Sequence, residues 1–301
     1  MDWDGNFMMQ DNTLFVRSQG SRSVPAEAEG GTAPILVQGA DSYEDPKVSI
    51  RIIGQCNFRC PACCTGSSPS RKGILSPDDF ERVVDILAEE RFRGILNLSG
   101  GEPTLHPDLP DMLALLASRL PENRVILFTN GSWIGQPDWR RRLTSFLSFS
   151  QVTVRLSLDR HHVVGALRAS AMPRVRASFD YLEQVAFRRA QAFLDHCVAG
   201  GGIPGRHFDV AFKGDREAAQ SYLAPLGEAP VYCIELEKKP EKRAKKLGYL
   251  AVDLDDAGYP MVYLTLGHVL RNEPFGGIDA LPKALAINRE ALSRWKGTAR
   301  P

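Results

Sequence analysis

Neither sign of charge is in surplus in this sequence: 37 Lys+Arg stand against 36 Asp+Glu in 301 residues, a formal net charge of +1. A protein that grips nucleic acid by bulk electrostatics carries a basic excess, so no nucleic-acid partner is expected. Long apolar runs are missing too. None approaches the roughly 20 residues that span a bilayer, and no membrane partner is expected either. The opening segment, MDWDGNFMMQDN, has acids and no apolar core, so it does not read as a secretory signal. Cysteine is sparse: the six present are too few for a disulfide scaffold at this length, and four of them crowd into residues 56–64. That crowding points to metal or cluster ligation in a reducing compartment, with a cytoplasmic location expected. The length allows two modest domains or one barrel-sized domain.

Residues 1–46 are rich in Gly, Ser, Glu and Pro and read as a partly flexible N-terminal extension. Two short apolar runs in it, Leu14-Phe15-Val16 and Ile35-Leu36-Val37, suit a small hairpin, with the stretch Ala26 to Gly31 as linker. From Val48 onward short apolar strands alternate with amphipathic helices, the pattern of a parallel α/β fold. The expected strands are Val48–Ile53, Ile95–Ser99, Val125–Asn130, Val152–Asp159, Phe208–Lys213 and Val231–Leu236. After the first strand, Ser76 and Pro77 open a helix whose apolar stripe is Phe80, Val83, Val84 and Leu87. Further helices are expected at Asp108–Leu120, Pro137–Leu147, Phe179–Val198 and Asp215–Leu226. The charge run Glu237–Lys246 reads as a solvated connector. Tyr249–Asp253 and Met261–Leu266 then flank a turn, and a helix around Leu281–Trp295 closes the chain.

Periodicity alone leaves an open doubly wound sheet and a barrel both possible. Alternation along the strands favours the barrel. Thr153, Arg155, Ser157 and Asp159 share one face of the fourth strand, opposite Val152, Val154, Leu156 and Leu158. The second, fifth and sixth strands likewise set Asn97 and Ser99, then Asp209 and Lys213, then Cys233 and Glu235, against apolar residues. A parallel sheet covered by helices on both sides is apolar on both faces. A consistently polar face suits a lumen that holds a polar ligand. The expected fold is α/β: a partial (β/α)6 TIM-type barrel over 47–236, after the short N-terminal extension 1–46. A small β-hairpin-plus-helix appendage over 237–301 follows.

Chemistry concentrates at two strand ends. The first strand runs into Cys56-Asn57-Phe58-Arg59-Cys60-Pro61-Ala62-Cys63-Cys64. Three thiolates spaced C-x3-C-x2-C can wrap one centre and leave a coordination position open, as in an iron–sulfur cluster held by three cysteines. A zinc knuckle completed by Cys64 or a distant residue is the structural alternative, although no second cysteine pair is present. The second strand ends in Gly100-Gly101-Glu102-Pro103. Paired glycines there let a ligand approach the backbone, and the Glu can accept from an ammonium group.

With these two motifs in adjacent strands, the sequence resembles the radical S-adenosylmethionine (radical SAM) superfamily. Thr129-Asn130-Gly131 and Ser157-Leu158-Asp159, closing the third and fourth strands, are similar to further motifs of that family. The resemblance covers about residues 48 to 236. It implies that Cys56, Cys60 and Cys63 ligate a 4Fe-4S cluster whose open iron takes the amino and carboxylate groups of S-adenosyl-L-methionine. It also implies that Gly100, Gly101 and Glu102 receive the methionyl amine, that Ser157 or Asp159 faces the ribose, and that Pro103 and Asn130 complete the cofactor-binding set. Two departures stand out. Ala62 occupies the position before the third cysteine where the family usually has an aromatic residue, and the fifth strand lacks the family's G-x-I-x-G-x-x-E signature. Cys64, Cys197 and Cys233 are too few for a second four-thiolate cluster, so one cluster is expected.

Other residues are weighed one by one. Cys197 shares a helical face with Ala190, Phe193 and Leu194 and reads as a buried structural cysteine. Cys233 alternates onto the polar face, where a thiol can return a hydrogen atom to a substrate radical or simply fill space. His161 and His162 follow the fourth strand, where barrel loops carry catalytic groups. Lys213, Glu235 and Arg155 are lumen residues able to grip a charged substrate or to form a mutual ion pair. Trp139-Arg140-Arg141-Arg142 reads as a helix start with a solvated basic face. The resulting expectation is an enzyme acting on a small-molecule metabolite or natural-product precursor, reduced by a flavodoxin or ferredoxin-like electron donor. Modification of a peptide or protein, and a non-catalytic iron–sulfur or zinc binding module, are the alternatives.

Overall fold

The computed structural model describes residues 9–10, 13–14, 46–61, 63, 65–158, 160–170, 179–202, 207–212, 249–255, 258–265 and 275–298. Outside these lie the linker Ala26–Gly31, the run Ile35–Val37, Ala62, Cys64, Asp159, Lys213, the expected helix Asp215–Leu226, and the expected sixth strand with Cys233 and Glu235.

The first described elements are two-residue strands, β1 (Met9–Gln10) and β2 (Thr13–Leu14), paired antiparallel with Met9 opposite Leu14. Leu14, from the first of the two apolar runs, thus pairs with Met9, while Ile35–Val37 lies outside the described residues.

An eight-stranded open sheet forms the rest. In chain order its strands are β3 (Lys47–Ile53), β4 (Ile95–Gly100), β5 (Arg124–Thr129), β6 (Val152–Leu158), β7 (Phe208–Phe212), β8 (Tyr249–Leu254), β9 (Pro260–Thr265) and β10 (Gly276–Gly277). Their spatial order is β10-β9-β8-β3-β4-β5-β6-β7. Strands β3 to β7 run parallel as consecutive neighbours, and β8 adds a sixth parallel strand beside β3. The fold is a mixed α/β arrangement consistent with a partial barrel whose sheet, among the described residues, is not closed. The hairpin β8–β9 extends the same sheet, with Ser49 opposite Ala251 and Ala251 opposite Tyr263.

Helices α1 (Pro77–Glu89), α2 (Leu109–Arg119), α3 (Trp139–Leu147), α4 (Arg160–Ala169), α5 (Phe179–Ala199) and α6 (Leu281–Thr298) complete the described elements. The first behaves as its sequence dictates. Ser76 caps it, accepting from Asp79 N at 3.1 Å, Pro77 opens it, and Phe80, Val83, Val84 and Leu87 are fully buried. Helix α4 corrects the sequence reading, because His161 and His162 lie in its first turn and not in a loop. Val163, Val164 and Leu167 follow them at helical spacing, the signal that the two histidines obscured. None of the described helices is long and apolar enough to cross a membrane.

Register puts Val48, Ile50 and Ile52, Leu96 and Leu98, Val125 and Leu127, and Val154 and Leu156 on one face, all buried in one core with side chains of α1, α2 and α5. The other face aligns Ser49, Asn97, Ile126 and Thr153 in one row. Asp253, Arg51, Ser99, Phe128 and Arg155 belong to the next layer. Arg51 Nη1 stands 2.6 Å from Asp253 Oδ1, and the Arg155 guanidinium lies 5.6 Å from the Phe128 ring centroid. On β4 and β6 the polar face read from alternation is present, with Thr153 and Arg155 buried, whereas β5 sets Ile126 and Phe128 on the same face.

One buried histidine links two strand–helix connections. His106 Nδ1 accepts from Asp108 N at 3.1 Å, which leaves Nε2–H to donate to Leu75 O at 3.0 Å. Burial holds its pKa below the ordinary 6.5 despite the opposing pull of the Leu75 carbonyl and Asp108. The folded state therefore favours the neutral ring. The associated stability is complete above about pH 6.5 and declines as pH falls below it, because the unfolded chain protonates first. Urea midpoints measured from pH 7.5 down to 5.5 (about the range in which histidine titrates) should fall in the wild type and fall less in His106→Gln. Parallel profiles for the two proteins would contradict this assignment.

Candidate functional site

The tri-cysteine loop leaves the sheet through a clamped neck. Where β3 ends, Gly54 N donates to Gly73 O at 2.8 Å, and Cys56 N donates to Ser68 O at 3.1 Å. A Cβ on Gly54 would stand 2.7 Å from Lys72 O, so glycine lets the returning strand pass this close. The loop is thus a closed excursion with fixed ends. Inside it Cys56 is buried, while Cys60 and Cys63 are half-buried. Phe58 N donates to Cys56 Sγ at 3.4 Å, Asn130 Nδ2 donates to the same sulfur at 3.7 Å, and Ser67 N donates to Cys63 Sγ at 3.3 Å. Burial pushes the Cys56 thiol up to about 12, with the charges of Glu102 and Cys63 adding to the rise and the Phe58 and Asn130 donors opposing it. Among the described residues, no three His, Cys, Asp or Glu side chains converge as one metal ion would require.

Strand β4 ends against this neck. Gly101 N donates to Ile53 O at 2.7 Å and Glu102 N to Gln55 O at 2.9 Å, carrying the β3–β4 pairing past the strand ends. A Cβ on Gly100 would run into Ile53 O, and one on Gly101 into Gln55 O. The paired glycines are thus already required by the chain's own backbone, a constraint that the sequence reading, which assigned them to ligand approach, did not include.

Glu102 is fully buried and accepts four hydrogen bonds. Its Oε1 takes Thr104 N at 3.2 Å, Thr104 Oγ1 at 2.7 Å and Thr129 Oγ1 at 2.7 Å; its Oε2 takes Asn130 N at 2.7 Å. Thr129 Oγ1 itself accepts from Gly131 N and Trp133 Nε1, at 3.1 and 3.0 Å, so its proton is left for the carboxylate. Burial raises the Glu102 pKa from the ordinary carboxylate value, and these donors pull it back.

The turn after β5 carries the contact on to the cysteines. Gly131, at φ 72°, lets the chain turn back, and Ser132 N donates to Asn130 Oδ1 at 2.9 Å. Asn130 Nδ2 also reaches Asn57 Oδ1 at 2.9 Å, and Asn57 Nδ2 donates to Ser132 Oγ at 2.7 Å. Asn57 and Ser132 were not singled out from the sequence. An asparagine directly after the first cysteine was the available signal. The Arg189 guanidinium of α5 lies 5.9 Å from the Phe58 ring centroid, and burial brings its pKa down to about 10.

The remaining residues scatter around this centre. Pro103 is buried at the start of the short 3-10 turn Pro103–Leu105. Ser157 is half-buried near the end of β6, His161 is buried and His162 half-buried. Cys197 is fully buried, its thiol pushed up to about 12 by burial, as suits a structural cysteine. Trp139 opens α3, and Arg142 Nη1 donates to Thr104 O at 3.0 Å, which ties that helix to the GGEP turn.

Replacing Glu102 by Gln puts an amide N–H where Oε1 or Oε2 now meets only donors. Glu102→Gln should lower stability by about 3 kcal/mol, read as a reduced urea midpoint with an unchanged slope. An unchanged midpoint would contradict the acceptor role.

A sequence model of the Radical SAM superfamily matches residues 50–161. GTP 3',8-cyclase of Tolumonas auensis is 40% identical over 105 residues, covering 34% of this chain and 31% of that protein. GTP 3',8-cyclase 1 of Mycobacterium tuberculosis is 25% identical over 262 residues, 81% of this chain and 63% of that protein. The chain spans less than two thirds of the length of each of these curated relatives. Among solved structures, BtrN in complex with AdoMet and 2-DOIA aligns over 84% of this chain and 86% of that one, at 13% identity and a TM-score of 0.49. The family match begins in β3 and runs through the cysteine loop, the GGEP turn and the Asn130 turn as far as α4. Residues 50–161 thus match the Radical SAM superfamily over a little more than a third of the chain.

Proposed function

We propose that this chain is a radical S-adenosyl-L-methionine enzyme that abstracts hydrogen from a small-molecule substrate. The observation that carries the reading is the tri-cysteine loop latched by Asn57 and Asn130 to a turn that Glu102 ties to the GGEP segment. Radical SAM proteins use a 4Fe-4S cluster and S-adenosyl-L-methionine, and the donor set fits them. Three thiols stand on one loop, and two of them receive N–H···S hydrogen bonds of the kind that tune cluster thiolates. When bound, these cofactors supply one-electron cleavage of the sulfonium carbon–sulfur bond, giving methionine and a 5′-deoxyadenosyl radical that takes hydrogen from the substrate.

The chain's own residues divide the remaining work. Cys56, Cys60 and Cys63 would hold the cluster. The turn Gly100-Gly101-Glu102-Pro103 and Asn130 would border the methionyl end of the cofactor, with the side chain of Glu102 fixing the turn. Ser157 or Asp159 would face the ribose. Arg155 on the buried polar face suits a charged substrate. Relatives named GTP 3',8-cyclase make a nucleotide one member of that class. His161, His162, Lys213, Cys233 and Glu235 are the candidates for substrate contact, proton transfer or hydrogen return. A flavodoxin or ferredoxin-like protein would supply the electron.

Anaerobic reconstitution with iron and sulfide, reduction with dithionite and addition of S-adenosyl-L-methionine should yield 5′-deoxyadenosine and methionine, and Cys60→Ala should abolish both. A cluster-loaded protein that leaves the cofactor intact would overturn the proposal in favour of a binding module.

A further inference from the structure

Helix α4 carries a glycine at its middle, where glycine costs about 1 kcal/mol relative to alanine. The structure gives that glycine a reason. A Cβ on Gly165 would lie 2.5 Å from Cys60 Sγ, 2.8 Å from Cys60 N and 2.9 Å from Cys60 Cα. Two of these three atoms are backbone, so no rotation of the cysteine side chain relieves the clash. The contact is also bonded, for Arg59 N donates to Gly165 O at 2.9 Å. Val163, two residues earlier and so on nearly the opposite side of the same helix, is buried in the core, which fixes the helix against the sheet. The middle cysteine thus sits directly on a helix backbone.

We propose that Gly165 is a positioning residue for the cluster: α4 is the seat of Cys60, and its bare backbone at this position sets where the middle thiolate stands. The proposal rests on the cluster reading above and deepens it. Each cysteine then has its own anchor. Cys56 takes the Asn130 amide at the end of β5, Cys60 rests on α4, and Cys63 takes Ser67 N from within the loop. Helix α4 begins directly after β6, the strand end assigned above to the ribose. A single strand–helix unit therefore carries both the seat of the cluster loop and the nucleoside end of the cofactor site, so a displacement of that unit moves the two together.

Gly165→Ala separates seat from scaffold, because alanine strengthens the helix while its methyl group displaces the loop. The expected result has three parts. The thermal midpoint of the metal-free protein is equal to or above wild type. Cys60 in that metal-free protein is alkylated by iodoacetamide faster than in wild type, while Cys197 stays protected. Iron in the reconstituted protein is lost to a chelator about tenfold more readily. The control Ala166→Gly should do the reverse, lowering the midpoint and leaving Cys60 alkylation and iron retention as in wild type. Wild-type alkylation and iron retention in Gly165→Ala would overturn the proposal. So would a lowered midpoint with Cys197 exposed, since Gly165 would then serve general packing. The alkylation comparison needs no cluster, so it decides the role of Gly165 even if the wild type fails to assemble one.

Discussion

A carboxylate taken completely out of water needs donors on every side, and Glu102 obtains them from two strand ends and the turn between them. Burying a charge without such partners costs several kcal/mol, so the surrounding backbone has little freedom to move. Thr104 holds the GGEP turn to it, and Thr129 and Asn130 bring the end of β5 alongside the end of β4. Because Asn130 spends its backbone N–H on Glu102, its side chain is aimed at Asn57 and Cys56. The geometry of the first cysteine is thus set by a carboxylate that never touches it.

The loop itself is too short and too rich in polar backbone to hold a shape alone. Its order comes from neighbours on three sides: the neck at Gly54 and Ser68, the Asn130 turn, and the α4–α5 pair that meets Cys60 and Phe58. Such a loop offers thiols to a cofactor with little further ordering, which favours binding by reducing its entropic cost. The half-exposed Cys60 and Cys63 lie on the accessible part of the loop, whereas buried Cys56 anchors it.

Much of this was legible in the residues. The alternation of Val152 to Leu158 told which face of β6 would be polar, and the burial of Thr153 and Arg155 on the face opposite Val154 bears it out. The cap Ser76-Pro77 and the stripe from Phe80 to Leu87 specified the start and the buried face of α1, because capping and amphipathicity are local. What stayed hidden was non-local. That β8 would pair with β3 depends on which sheet edge is open, and the strand's own residues do not record it. Helix α4 was lost behind His161-His162, polar residues at the start of an otherwise helical pattern. The reason for Gly100 and Gly101 lay in Ile53 and Gln55, more than forty positions earlier in the chain. Glycine is read readily as room for a ligand when the room is filled by backbone.

The claim on which the account turns is that three thiolates hold a cluster with one iron left open for S-adenosyl-L-methionine. The most direct measurement is Mössbauer spectroscopy of the iron-57 reconstituted protein with and without that cofactor. The account predicts one cluster per chain, in which a single iron site changes its spectrum when the cofactor is added and the other three do not. A cluster whose four irons are indifferent to the cofactor, or a protein that takes up zinc and no iron–sulfur cluster, would contradict it.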